Sequence, residues 1–178
     1  SMADKTAGCT PPRLYFLVGE ASGDLHASNL VAALKAQAPG AQFRGLGGDR
    51  MAAQGVALLR HIRETSFMGL MELVRHLPFI RRLFREVKAD ILAWQPDAVV
   101  LVDYSGFNLR LAKWLRRRGI RTVYYIAPKL WAWNPGRARQ MQRNVDQLLV
   151  ILPFEEAFFA QYGVQATYVG HPLQDELA

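Results

Sequence analysis

A carboxylate at the end of an apolar run is the residue best suited to do chemistry in this sequence. Asp103 directly follows the segment Asp97–Val102, which reads as a buried strand, and Gly106 comes shortly after it. A carboxylate held partly out of water has a raised pKa and accepts a proton from a hydroxyl group. Asp103 is therefore a candidate general base. The alternative is a structural aspartate that caps the following helix.

A second polar turn, Gly19–Asp24, follows the apolar run Leu14–Val18. Strand, glycine-containing turn and helix in that order form the first half of a βαβ unit. Open amide groups at a helix start attract anions, whereas the carboxylates of Glu20 and Asp24 repel phosphate and suit sugar hydroxyls. Ser22 and Asp24 are equally good N-cap residues, so simple capping is the alternative. The turn lacks the three spaced glycines of a dinucleotide-binding fingerprint.

A third loop, Pro128–Asn134, carries Lys129, Trp131 and Trp133. The two indole rings can stack on a sugar or lie at a lipid interface, and the lysine can contact a phosphate; core packing and a solvated lysine are the alternatives. His171 precedes a proline and receives no role. The four histidines are scattered without metal-ligand spacing, so we predict no metal site and no cofactor.

The segment Glu64–Trp94 combines apolar and basic residues. Its apolar residues recur at helical spacing after residue 72, and Pro78 is expected to start or kink the helix. A basic helix with apolar and methionine neighbours is typical of a membrane surface or an acyl-chain site, and an ordinary core-facing helix is the alternative. The residues assigned to acyl-chain or membrane contact are Phe67, Met68, Leu70, Met71, Arg75, Arg81 and Arg82.

The elements that position these residues alternate between strands and helices. Predicted strands are Leu14–Val18, Gln42–Leu46, Val56–Ile62, Asp97–Val102, Thr122–Ile126, Gln147–Leu152 and Thr167–Val169. Predicted helices are Leu25–Ala38, Asp49–Gln54, Leu109–Arg118, Gly136–Asn144 and Phe154–Tyr162, besides the one within Glu64–Trp94. The alternation predicts a doubly wound, mainly parallel, Rossmann-like α/β sheet, whose ligands bind at the carboxyl ends of the strands.

Composition limits the class of protein. The chain has 178 residues, is 51% hydrophobic and carries a formal net charge of +7, which fits one domain with anionic partners. Nucleic acid is disfavoured because the basic residues lie mainly at helix ends. A single cysteine, Cys9, fits a reducing compartment, and no signal peptide or membrane-spanning run is visible. Residues 1–12 are expected to be a disordered tail with a cloning scar at Ser1-Met2.

Several motifs together resemble the lipid-A-disaccharide synthases, a family of bacterial glycosyltransferases. The resemblance covers residues 13 to 175, nearly the whole chain. It rests on motifs in the family's order: Gly19–Asp24, Met68-Gly69 with Glu72, Asp103 with Phe107-Asn108, Pro128, Trp131-Ala132-Trp133, Leu152–Glu155 and Gly170-His171-Pro172. Ala127 departs from the pattern, because family members often have serine there and alanine offers no hydroxyl group for a contact.

The resemblance implies a reaction. It implies transfer of 2,3-diacylglucosamine from its UDP form to 2,3-diacylglucosamine 1-phosphate, giving a β-1,6-linked disaccharide with inversion and without a metal. It implies Asp103 as base for the acceptor 6-hydroxyl and substrate contacts by Glu20, Ser22, Asp24 and Asn108. It also favours a lipid-facing role for Phe67–Phe84, and an enzyme that is cytoplasmic and peripheral on the inner membrane.

The family's fold is GT-B, two Rossmann-like domains facing across a cleft, and members run to roughly twice this length. Residues 13–178 are therefore expected to be the N-terminal, acceptor-side domain, without the UDP-binding half and inactive alone. An apolar cleft wall left open would favour self-association, so a homodimer is one expected state. Two alternatives remain, a non-catalytic lipid-binding module and a nucleotide-binding Rossmann domain, of which the second is disfavoured by the acidic first turn.

Overall fold

The computed structural model describes residues 10–65, 77–102, 105–125, 135–151, 153–161 and 163–169. The strands are β1 (Arg13–Val18), β2 (Gln42–Gly47), β3 (Ala57–His61), β4 (Ala98–Val102), β5 (Thr122–Tyr125), β6 (Gln147–Val150) and β7 (Thr167–Tyr168). The helices are α1 (Ala21–Gln37), α2 (Asp49–Ala53), α3 (Ile62–Thr65), α4 (Leu77–Trp94), α5 (Ser105–Arg117), α6 (Pro135–Asn144) and α7 (Phe154–Ala160).

The strands form one sheet in the order β3-β2-β1-β4-β5-β6-β7, and every described pairing is parallel. This confirms the predicted doubly wound, Rossmann-like α/β architecture. The order reverses between β1 and β4, so their carboxyl ends form the switch point where such sheets bind ligands. There Val18 pairs with Val102 and Val102 with Tyr125, which places the three residues in one row across the sheet.

Helices cover the two faces of the sheet unequally. On one face, here the α1 face, Phe16, Val18, Val102 and Tyr125 pack with buried residues of α1 and α2. On the opposite face, the α4 face, the core includes buried side chains of α4, α5, α6 and α7. Among the described residues, the helical side chains of the α1 face come from α1, α2 and α3 alone, and none from α4 to α7. The larger core therefore lies on the α4 face.

Two helices begin four residues earlier than the sequence predicts. Helix α1 starts at Ala21 rather than Leu25, and α5 starts at Ser105 rather than Leu109. In both cases small and polar residues indicated a loop, but these residues are also tolerated in the first turn of a helix. In α1 this turn packs so closely that a Cβ on Gly23 would lie 2.9 Å from Cγ1 of Val18 and 3.5 Å from Cγ1 of Val102. The two predicted loops are thus partly helical.

Helix α4 agrees with the prediction for Pro78, which lies in its first turn. Leu83, Val87 and Ile91 bury the apolar side of the helix on the sheet. Asp90 also faces inward, and it accepts hydrogen bonds from Tyr15 Oη at 2.8 Å and from Arg44 Nε at 2.7 Å and Nη2 at 2.8 Å. Burial, and then the hydrogen bond to Asp90, raises the pKa of Tyr15. This face of α4 is therefore core.

Two aspartates hold the opposite, amino edge of the sheet in the same way. Asp97, before β4, accepts a hydrogen bond from the backbone N–H of Arg13 at 2.7 Å and donates its own N–H to the Arg13 carbonyl at 2.8 Å. Asp146, before β6, does the same with Thr122, at 2.7 and 3.0 Å, and also binds Arg116 Nη1 at 2.8 Å. Each aspartate thereby pairs the first residue of a neighbouring strand.

Candidate active site

The switch point is held together by a buried amide. Asn108, in the first turn of α5, is fully buried, and its Nδ2 donates hydrogen bonds to the carbonyls of Leu17 at 3.2 Å and Val102 at 3.4 Å. These carbonyls belong to the ends of β1 and β4. The structure thus gives Asn108 the role of joining the two strands whose loops carry the predicted site, and its direct contact with substrate stays a prediction.

Asp24 is buried, and its carboxylate lies against the start of α2. Its Oδ1 accepts hydrogen bonds from the N–H groups of Gly48 at 2.9 Å and Met51 at 3.1 Å, and its Oδ2 accepts one from Arg50 at 3.1 Å. A Cβ on Gly48 would lie 2.6 Å from Oδ2, so only glycine fits beside the carboxylate. Asp24 therefore caps the neighbouring helix α2, not its own helix. Sugar binding by this residue stays a prediction.

Glu20 and Ser22 are exposed at the start of α1. Glu20 occupies the N-cap position in extended conformation, and its side chain makes no capping hydrogen bond. Ser22, predicted as an N-cap candidate, lies inside the helix instead, in its first turn. Both side chains are accessible to a ligand at the carboxyl edge. Their substrate contacts remain predictions.

Tyr125 is a residue of this edge that sequence reasoning missed. It is fully buried at the end of β5 on the α1 face, and its hydroxyl has no hydrogen-bond partner among the described residues. Burial raises the pKa of Tyr125 to about 12, so the hydroxyl stays protonated at neutral pH. An aromatic residue that ends an apolar strand is typical of a core position, and only the row of Val18, Val102 and Tyr125 reveals its place beside α1.

Arg81 and Arg82 are exposed on α4, as a surface role requires. The acidic residues of the same helix are occupied, because Glu86 binds Arg60 at 3.0 Å and Asp90 binds Arg44 at 2.7 Å. The two exposed arginines thus have no described carboxylate partner on α4. Their contact with acyl chains or a membrane is not tested.

The remaining predicted residues lie outside the described part of the chain. The predicted base Asp103 directly follows the last residue of β4 and is one of them. The others are Phe67, Met68, Leu70, Met71, Arg75, Lys129, Trp131, Trp133 and His171.

The described residues contain neither a metal-binding cluster nor a membrane-spanning helix. No cluster of three or more histidine, cysteine, aspartate or glutamate residues that could hold a metal ion occurs among them. Within the same ranges, no helix has both the length and the apolar character needed to cross a membrane.

Comparison with known structures supports the fold. The UDP-GlcNAc 2-epimerase of Neisseria meningitidis, solved with UDP-GlcNAc bound, superposes with a TM-score of 0.64 at 9% identity. The match covers 93% of this chain and 48% of the epimerase. At this identity the likeness concerns the fold alone. The chain corresponds to about half of a GT-B-type epimerase, in agreement with the predicted half of a GT-B fold.

Comparison with known sequences is more specific. A family model described as lipid-A-disaccharide synthetase matches residues 14–178. The lipid-A-disaccharide synthase of Chromohalobacter salexigens is 47% identical over 165 residues, which are 93% of this chain and 43% of that enzyme. The synthase of Myxococcus xanthus is 47% identical over 167 residues, 94% of this chain and 44% of that enzyme. The chain spans less than half the length of these relatives. It belongs to the lipid-A-disaccharide synthase family.

Proposed function

We propose that this chain forms the acceptor-side half of a lipid-A-disaccharide synthase. The reaction transfers 2,3-diacylglucosamine from its UDP form to the 6-hydroxyl of 2,3-diacylglucosamine 1-phosphate, with inversion and without a metal. The observation that carries the proposal is the family match over residues 14–178. The strand order, which reverses between β1 and β4, supports it, because ligands of such sheets bind at the switch point.

Within this reaction Asp103 is the general base. Attack of a neutral hydroxyl on an anomeric carbon needs a group that removes its proton, and a carboxylate next to the last residue of a buried strand suits that role. Asn108 supports the base indirectly, because its amide binds the carbonyl of Val102, the residue directly before Asp103. The donor is bound by the half of the longer relatives that this chain does not match.

The test of the base needs a protein of the relatives' full length that begins with this chain. UDP release is measured with and without 2,3-diacylglucosamine 1-phosphate. A general base contributes about 10²- to 10⁴-fold, so Asp103→Asn is expected to lower acceptor-dependent kcat by about that factor. Asp97→Asn is the matched control, because Asp97 precedes the same strand at its opposite edge.

Three results would contradict this proposal. Parental kcat in Asp103→Asn would contradict the assignment of Asp103 as the base. An equal loss of kcat in Asp97→Asn would mean that the effect is structural. The 178-residue chain alone is expected to release no UDP, and acceptor-dependent turnover by it would refute the need for the second half.

We also propose that the enzyme is peripheral on the anionic inner membrane. Exposed Arg81 and Arg82 on α4 support this, since the acidic residues of that helix are engaged by other arginines. A basic residue near such a surface contributes about 1 kcal/mol, so reversing both charges is expected to weaken vesicle binding roughly 30-fold or more. Flotation with phosphatidylglycerol vesicles measures this, and the exposed pair Arg139 and Arg143 on α6 serves as control. Equal loss in both pairs would contradict a specific α4 contact.

The same exposed basic helix favours the second candidate function, a non-catalytic lipid-binding module. This alternative predicts vesicle binding without any acceptor-dependent UDP release from the full-length protein. Parental vesicle binding together with absent turnover would therefore support it over the enzyme.

A further inference from the structure

The start of α1 presents amide donors at the carboxyl edge. The first hydrogen bond within the helix runs from the N–H of Asp24 to the carbonyl of Glu20, at 3.0 Å. The three preceding amides, from Ala21 to Gly23, therefore have no partner inside the helix. The N-cap side chain does not bind them either. In a helix of 17 residues these donors carry the positive end of the helix dipole.

The structure changes the charge balance that the sequence suggested for this turn. Two carboxylates, Glu20 and Asp24, argued against phosphate. The carboxylate of Asp24 is buried against α2 and binds three backbone N–H groups there. Only Glu20 remains near the open amides, and it is exposed. The electrostatic objection to an anion is thus reduced to one exposed side chain, whose charge is screened by solvent.

A second donor lies next to this helix start. The first turn of α1 stands over β1 and β4, because the Cβ position of Gly23 is 2.9 Å from Val18 and 3.5 Å from Val102. Tyr125 is the next member of the same row and lies in the same apolar cluster. Neighbouring strands are about 4.8 Å apart, so Tyr125 lies on the same face one strand beyond the two valines at the Gly23 position. Its buried hydroxyl has no described partner.

We propose that the first turn of α1 and the hydroxyl of Tyr125 form a subsite for a phosphate group of a phosphorylated sugar substrate. The backbone amides and the protonated hydroxyl of the subsite can all donate hydrogen bonds, which match the acceptor oxygens of a phosphate. The raised pKa of Tyr125, about 12, keeps its hydroxyl a donor throughout the neutral range. The proposal rests on the proposed function, since it assigns a part of that substrate to the same site. The phosphate belongs to the sugar 1-phosphate or to the UDP group.

Binding to the full-length protein tests the subsite. The probes are glucosamine 1-phosphate, UDP and glucosamine, titrated by calorimetry. Loss of a hydrogen bond to a charged group lowers affinity roughly 10-fold or more. Tyr125→Phe is therefore expected to raise the Kd of a phosphorylated probe about 10-fold and to leave the Kd of glucosamine unchanged. Tyr15→Phe is the matched control, a fully buried tyrosine whose hydroxyl binds Asp90 instead.

The two phosphorylated probes distinguish the source of the phosphate. Weaker binding of glucosamine 1-phosphate alone assigns the subsite to the acceptor, and weaker binding of UDP alone assigns it to the donor. Glu20→Gln removes the remaining carboxylate, so the affinity for the same phosphorylated probe is expected to rise about 3-fold. Unchanged affinity for both phosphorylated probes in Tyr125→Phe, or an equal loss in Tyr15→Phe, would overturn the proposal.

The variants separate an effect on binding from an effect on folding. Tyr125→Phe removes a buried hydroxyl without a described partner, so thermal unfolding is expected to show no loss of stability. If this variant fails to fold, Glu20→Gln provides the test. Unchanged affinity of Glu20→Gln for the phosphorylated probes would then overturn the proposal. Failure of the subsite leaves the loss of kcat in Asp103→Asn unaffected, whereas failure of the proposed function appears as absent acceptor-dependent UDP release in the parent.

Discussion

The two edges of the sheet differ in whether their backbone and side-chain donors have hydrogen-bond partners. At the amino edge, Asp97 and Asp146 each exchange two hydrogen bonds with the first residue of a neighbouring strand. At the carboxyl edge, the first amides of α1 and the hydroxyl of Tyr125 have no described side-chain partner. An edge that serves only stability pairs its polar groups within the fold. The donors left at the carboxyl edge are those of the phosphate subsite that we propose.

Asp24 is the exception that sharpens this comparison, because it lies at the carboxyl edge and yet binds three backbone N–H groups. Asp24→Ala leaves these donors without an acceptor in a buried place. The largest effect on stability is expected here, a loss of about 3–5 kcal/mol in the free energy of unfolding. Urea unfolding of the 178-residue chain measures it.

Asp24→Asn is the control for that prediction. It keeps one carbonyl oxygen as acceptor and is expected to lose about half as much. A loss below about 1 kcal/mol in Asp24→Ala would mean that the carboxylate is dispensable for α2 and available to a ligand instead.

The next largest effect on stability is expected at an aspartate of the amino edge. Asp146→Ala removes the acceptor of the Thr122 N–H and of Arg116, the latter exposed. The expected loss is about 1–2 kcal/mol of unfolding free energy, smaller than for Asp24 because solvent replaces part of the interaction. In the full-length protein, KM for both substrates should equal the parental values. A raised KM would show that the amino edge also affects substrate binding, and would contradict the distinction between the two edges.

The smallest effect concerns Glu155, in the first turn of α7 near the carboxyl end of β6. Burial raises its pKa above the ordinary glutamate value, and it has no described partner. The folded state therefore holds this proton more tightly than the unfolded state, so stability falls as pH rises from the ordinary glutamate pKa to the raised one. Glu155→Gln should be more stable than the parent at pH 7, and equally stable at acidic pH.

Thermal unfolding at a series of pH values checks this prediction. Phe154→Gln, at the neighbouring exposed position, is the control and should show no pH dependence of its difference from the parent. A Glu155→Gln difference that grows as pH falls would reverse the sign and contradict the assignment.

The sequence predicts strands better than it predicts the turns that follow them. Strand boundaries agree within one or two residues, because an apolar run bounded by turn residues has few alternatives. The sequence predicts the starts of α1 and α5 four residues too late, since Gly23 and Asn108 are locally typical of loops. Their actual reasons are tertiary: Gly23 packs against two strands, and Asn108 joins two carbonyls.

The candidate site was predicted in the same uneven way. The edge of the sheet and the residues Glu20 and Ser22 follow from the alternation of elements and from local chemistry. The partners of Asp24 do not, because Gly48 and Met51 are more than twenty residues away and approach it only in the fold. Tyr125 was missed for the same reason, since nothing local distinguishes it from an ordinary core tyrosine.

The seam between β1 and β4 has a consequence for the order of folding. Leu14 pairs with Ala98, and Asn108 binds Leu17 across 91 positions of sequence. Contacts between such distant residues form slowly, because a long loop must close before they contribute. During synthesis, β1 can pair with β2 early, but its other side has no partner until the ribosome has released β4. The switch point between β1 and β4 is therefore assembled after the βαβ unit of β1, α1 and β2.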